Sequence, residues 1–201
     1  MPRIQQTPVP PLFPTKGPVW ILLVGEAPGP RGADQSGIPF WGDRAGKTVY
    51  QALYQAGQAE VPQESWDSWD GKALKARGLR PILHGVALGN AYPLCPTKDG
   101  QTFRAPTDAE LRSPENLARI RGDVERAAAL CPRRLRIIAM GKRALWLFGR
   151  LENAPDFELH VLPHPSAQGL LQAAPNKGKG LHLADLELAW RARLAELLAV
   201  S

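Results

Sequence analysis

The stretch Val19-Trp20-Ile21-Leu22-Leu23-Val24, running into Gly25-Glu26-Ala27-Pro28-Gly29-Pro30, decides the fold. Its first six residues are continuously apolar and rich in strand formers, a length that suits a strand and falls short of a helix. Apolar side chains on both faces require cover on both faces, which predicts an inner strand of a parallel sheet. The turn-rich segment from Gly25 to Pro30 ends that strand abruptly and starts a loop.

Three further runs repeat the pattern. Val86-Ala87-Leu88-Gly89-Asn90 reads as a second buried strand entering a Pro-rich loop over 91–107. Leu135-Arg136-Ile137-Ile138-Ala139-Met140 is a third, and Glu158-Leu159-His160-Val161-Leu162 a fourth, which runs into Pro163-His164-Pro165-Ser166. Helical spacing fills the gaps. Val49, Leu53 and Ala56 share one face of a helix from Ala45 to Ala56, stopped by Gly57. Thr107-Asp108-Ala109-Glu110 is a capping box ahead of a helix over about 115–130, with Pro132 beyond its end. A short helix follows Gly141 through Phe148, and an amphipathic helix over 182–199 is expected to bury Leu186, Leu188, Trp190, Leu194, Leu197 and Leu198. Residues 58–80 are a polar excursion carrying Trp66 and Trp69, with one short helix. Strands alternating with helices predict a three-layer α/β/α sandwich around a mostly parallel sheet, with the site beyond the carboxyl ends of the strands.

Residues 1–18, with prolines at 2, 8, 10, 11, 14 and 18, cannot be helical and read as an extended arm; 19–201 read as one domain. The 201 residues are 44% hydrophobic and 22% charged, enough for a core and against disorder. No apolar run is long enough to span a bilayer, and the first residues lack a signal-peptide layout. Cys95 and Cys131 are the only cysteines and form no CxxC pair, so reduced thiols and a cytoplasmic location are expected, with no metal site. The formal charge of +6 points to an anionic partner, most simply nucleic acid.

Gly42-Asp43-Arg44-Ala45-Gly46-Lys47-Thr48 superficially matches a phosphate loop, but three residues separate its glycines where that motif needs four, and it lies far from its strand. Four other segments, each at a strand end, are more informative together. These are Gly25-Glu26-Ala27-Pro28-Gly29, Gly37-Ile38-Pro39-Phe40, Asn90 and His164-Pro165-Ser166. In this order they resemble the uracil-DNA glycosylase superfamily. The first motif, with Gly42 to Gly46, is similar to the family 4 iron–sulfur enzymes. Residues 29–40, 90–96 and 105–111 are closer to the single-strand-selective monofunctional enzymes.

That resemblance implies hydrolysis of the bond between a flipped-out uracil and its deoxyribose. His164 would donate to uracil O2 and Asn90 would pair with N3–H and O4, while Phe40 stacks on the base and the backbone of Gly25, Ala27 and Pro28 approaches it. Ala27 stands where the superfamily often places Asp or Asn, which leaves Glu26 and Asp34 as the nearby acids for holding water. Arg31, Ser166, Gln168, Leu170, Lys177 and Lys179 would meet DNA, with Gln168, Leu170 or Leu171 as the wedge that fills the gap left by the base. The family 4 cluster needs four thiolates, so neither cluster nor other cofactor is expected. The partner would be DNA containing uracil or another damaged base, engaged by a monomer. Two alternatives remain beside uracil excision: the same fold acting on another damaged base, and a glycosylase-like protein that binds DNA without cutting it.

Overall fold

The computed structural model describes residues 3–199. In chain order, β1 (Val19–Gly25) leads into the short α1 (Ala33–Ser36) and then α2 (Arg44–Gln55). The excursion that follows holds β2 (Ala59–Glu60), α3 (Gly71–Ala76) and β3 (Ile82–Leu83). Next come β4 (Gly85–Asn90), α4 (Asp108–Arg112), α5 (Pro114–Ala129) and β5 (Leu135–Met140). The chain closes with α6 (Lys142–Phe148), β6 (Phe157–Leu162), α7 (Ala167–Ala173) and α8 (Leu183–Leu198).

Four strands form one sheet in the order β4-β1-β5-β6, every neighbouring pair parallel. The apolar β1 run is central, as its two-sided hydrophobicity requires. Ile21 and Leu23 face a core shared with Val49 and Leu53 of α2 and Trp190 and Leu194 of α8. Val19, Leu22 and Val24 face the other core, with Ile120 and Val124 of α5 and Leu147 and Phe148 of α6. Each such aliphatic side chain contributes roughly 1.5–3 kcal/mol on burial. Helices cover both sheet faces, giving the expected three layers.

Several local expectations shift. The 58–80 excursion is not merely a loop with one helix, because β2 and β3 pair antiparallel at its two ends. The Thr107–Glu110 capping box is present, with Glu110 returning a bond to the Thr107 amide, but the helix it starts is only α4. Pro114 breaks the helical backbone there, and Ser113 caps α5 anew. On α8, Leu188 is 59% exposed and not a core residue. Trp190, Leu194, Leu197 and Leu198 carry the buried face alone, with Leu186 packed at its edge.

The arm over residues 3–18 is extended and fastened. Ile4, Val9 and Phe13 are buried, and Leu12 bridges to Leu88 beside the sheet. Its amides donate to Gly100 and Pro93 of the 91–107 loop. Proline supplies the extended backbone, and the three apolar side chains anchor it.

Candidate active site

Register places the site. Gly25 and Asn90 are Cα partners at the carboxyl ends of β1 and β4, while Gly141 and Pro163 follow directly on β5 and β6. The loops leaving these four ends surround a cleft of about 970 Å³. Glu26, Ala27, Phe40, Asp43, Asn90, His164, Ser166 and Gln168 all line it.

Asn90 is 2% exposed, and among the described residues neither its side-chain Oδ1 nor its Nδ2 has a hydrogen-bond partner. A buried amide left unpaired costs about 1–3 kcal/mol, so its persistence in a cleft wall points to a ligand that completes it. The Phe40 ring lies against the same spot. A Cβ on Gly25 would sit 2.5 Å from that ring and 3.2 Å from Asn90 Oδ1, so only glycine lets the two meet.

Phe40 holds a left-handed backbone, φ +62°, which a bulky residue adopts only when its surroundings impose it. Those surroundings are aromatic. The Tyr50 hydroxyl donates to the Pro39 carbonyl and Trp41 Nε1 to that of Leu79, while Trp69 Nε1 donates to the Asp43 carbonyl at 2.7 Å. Trp41 meets both Tyr50 and Trp69 edge-on with ring centres 4.8 Å apart, and Trp66 stacks on Trp69. The polar excursion therefore clamps the segment that carries Phe40 and Asp43.

Asp43 is the acid that sequence reasoning missed. It caps α2, accepting from the Gly46 amide at 2.7 Å, so the helix starts at Arg44 and not at Ala45. Burial pushes its carboxyl up to about 6, opposed only by that Gly46 bond. The available signal was an acid ahead of a helix within the Gly42–Gly46 segment, which drew attention as a failed phosphate loop and as part of the family 4 resemblance, without a role for Asp43 itself.

His164 accepts at Nδ1 from the Ser166 amide, 3.2 Å away. An amide can only donate, so a neutral ring carries its proton on Nε2. Burial lowers the His164 pKa and Glu26 opposes the shift, favouring the neutral ring with Nε2–H as donor. Ser166 in turn caps α7 through Gly169. Glu26 reaches the cleft, but its Oε1 accepts from the Arg143 amide at 3.2 Å, over Gly141, where a Cβ would collide with it.

The remaining expected residues divide. Ala27 lines the cleft, whereas Pro28 is buried and outside the lining. Asp34 is turned away: it accepts from the Gln5 and Gln6 amides and from Gln35 Nε2, and does not line the cleft. Leu170 is 4% exposed in the core beside α8, so it is no wedge; the α7 turn carries it inward. Arg31, Lys177 and Lys179 are exposed but outside the lining. At the rim the structure adds Lys142 and three exposed apolar side chains, Phe103, Leu145 and Val161.

The residues present do not fit an iron–sulfur cluster. Burial pushes the Cys95 thiol up to about 12, with the Asp34 and Asp43 charges adding, which disfavours the thiolate a metal needs. Cys131 packs against the core on the α5 side of the sheet. Among the described residues no group of three or more His, Cys, Asp or Glu could hold a metal ion.

The uracil DNA glycosylase superfamily model matches residues 14–186, spanning all four strands and the cleft. The chain belongs to that superfamily. It is similar to the type-5 uracil-DNA glycosylase of Thermus thermophilus, 37% identical over 93 residues, or 46% of this chain and 35% of the relative. The type-5 uracil-DNA glycosylase of Mycobacterium leprae is 43% identical over 60 residues, and that of Mycobacterium tuberculosis 42% over 60. These stretches span 25% and 21% of the two mycobacterial proteins, so the matches cover between 21% and 35% of each curated relative named. No helix among the described residues is long and apolar enough to cross a membrane.

Proposed function

We propose that this protein is a DNA repair hydrolase that removes uracil from DNA after flipping the nucleotide into the cleft. The unpaired Asn90 amide carries the reading. Its Oδ1 accepts uracil N3–H and its Nδ2 donates to O4, whereas cytosine would oppose donor to donor at its 4-amino group. Phe40 stacks on the flipped base, and the backbone around Gly25 and Ala27 closes beneath it.

Asp43 takes the part expected of Glu26 or Asp34. Ionised, it accepts a proton from water as the water oxygen bonds to C1′. The C1′–N1 bond breaks, its electron pair passes to the uracil ring, and His164 Nε2–H donates to the charge growing on O2. Glu26 acts through His164, its negative charge resisting full loss of imidazole basicity. Lys142, Gln168 and the exposed Arg31, Lys177 and Lys179 meet phosphates, and Phe103 supports a neighbouring base. Two unbridged cysteines suit a reducing, cytoplasmic setting, and the scheme needs neither a cofactor nor a second copy of the chain, in keeping with a monomer.

Excision from single-stranded, U·A and U·G oligonucleotides, scored by alkaline cleavage at the abasic site, tests this reading. Uracil release is expected, with Asn90→Asp gaining activity on cytosine. Binding without release would favour a non-catalytic binder; release of a different base alone would reassign the pocket.

A further inference from the structure

A second concavity, about 550 Å³, lies where the arm meets α3 and the 97–103 hairpin. Arg3, Gln5, Gln6, Gln35, Lys72 and Lys75 line it, with Ile4 and Gly100. No acid is in the lining. Asp34, the acid behind it, is covered by the arm amides that donate to it. Among the described residues the salt bridges use arginine or histidine and never lysine, and neither Arg3, Lys72 nor Lys75 takes part in one.

The groove adjoins the cleft. Gly29, Pro30 and Ala33 line the cleft, and Gln35, two residues on, lines the groove. Phe103 and Arg104 line the cleft, and Gly100 of the same hairpin lines the groove. That hairpin is hydrogen-bonded throughout: Asp99 accepts from the Gln101 and Thr102 amides and the Thr102 hydroxyl, Thr97 bridges to Phe103, and Ile4 donates to Gly100. The walls are hydrogen-bonded too. Gln35 Nε2 donates to the Arg3 and Pro30 carbonyls, and the Gly71 amide at the head of α3 donates to the Arg31 carbonyl.

We infer that this groove holds the sugar-phosphate backbone of the substrate strand, at phosphodiesters beyond those seated at the cleft. The inference rests on the glycosylase reading and extends its footprint. Three cations with no salt bridge among the described residues supply sequence-independent attraction, and the exposed Gln6 carboxamide supplies a donor for a phosphate oxygen, the Gln5 and Gln35 amides being engaged with each other and with the wall. A strand leaving the cleft past Phe103 enters the groove next.

The test compares oligonucleotide lengths. Affinity for uracil-free single strands of five and of twenty nucleotides is measured against salt for the wild type, Lys72→Ala/Lys75→Ala and Arg3→Ala. Lys16→Ala, ahead of β1 at the sheet end opposite the cleft, is the charge control. Losing two phosphate contacts is expected to flatten the log–log salt slope by about 1.4 on the long strand. The five-nucleotide strand, filling the cleft alone, is expected to show little of that change. Equal flattening on both strands, or flattening matched per charge by Lys16→Ala, would reduce the effect to net charge and overturn the groove. An unchanged slope on the long strand would also overturn it. Uracil release by the wild type from a short strand is scored in parallel, so failure of the glycosylase reading is seen separately.

Discussion

The cleft wall and the arm-and-hairpin region lie side by side and treat polar groups in opposite ways. Around the arm, Asp34 accepts three hydrogen bonds, and the exposed Asp99 accepts three from the turn it organises. In the cleft, the Asn90 amide is unpaired, Asp43 is held up to about 6 by burial, and Phe40 keeps a left-handed backbone. Asp34 and Asp43 sit nine positions apart, both in the stretch between β1 and α2. One is used up by structure and the other is left with capacity for a substrate. In the cleft wall the unpaired Asn90 amide and the left-handed Phe40 stand together, and neighbouring contacts keep them there.

Breaking the cleft side is expected to have the largest effects. His164→Ala removes the O2 donor and should slow single-turnover excision by about 10²–10³ with the fold intact, since one preorganised donor is typically worth that much. Equal rates would remove His164 from catalysis. Phe103→Ala removes an exposed aromatic from the rim and should lower kcat/KM on single strands by about tenfold, as one stacked base contributes roughly 1–3 kcal/mol. Phe103→Tyr should restore most of it, which a mere loss of hairpin stability would not explain.

The arm side should respond in stability. Asp34→Asn weakens charged acceptance from the arm amides and is expected to cost about 1–3 kcal/mol in denaturant unfolding, with no loss of excision rate in the folded protein. A rate collapse there would make Asp34 catalytic. Asp43→Asn sharpens the contrast, because asparagine still caps the helix. The native Asp43 carboxyl titrates at about 6 against an ordinary 3.8, so the unfolded state loses its proton first. This group's contribution therefore destabilises the fold as pH rises through that window. In Asp43→Asn that component of the pH dependence should vanish.

Much of this architecture was legible in the chain. Two-sided apolar runs specified parallel inner strands, and their turn-rich exits located the loops that form the cleft. Asn90 and His164 were readable because a strand end dictates where each emerges. Asp43 was not, since its importance comes from burial and from the Trp41, Tyr50 and Trp69 cluster, contacts between segments up to some twenty-eight residues apart. Asp34 and Leu170 misled for the same reason. An acid in a glycine-rich loop and a leucine after a tight turn carry no local mark of which way they face.

The pH dependence of single-turnover uracil excision, measured for the wild type and Asp43→Asn, tests the central assignment most directly. The wild-type rate should rise with pH through about 6 as Asp43 ionises, and level off above. The variant should be slower by about 10²–10⁴ and lack that acid limb. A variant with the wild-type rate and the same limb would contradict Asp43 as the group that takes the water proton.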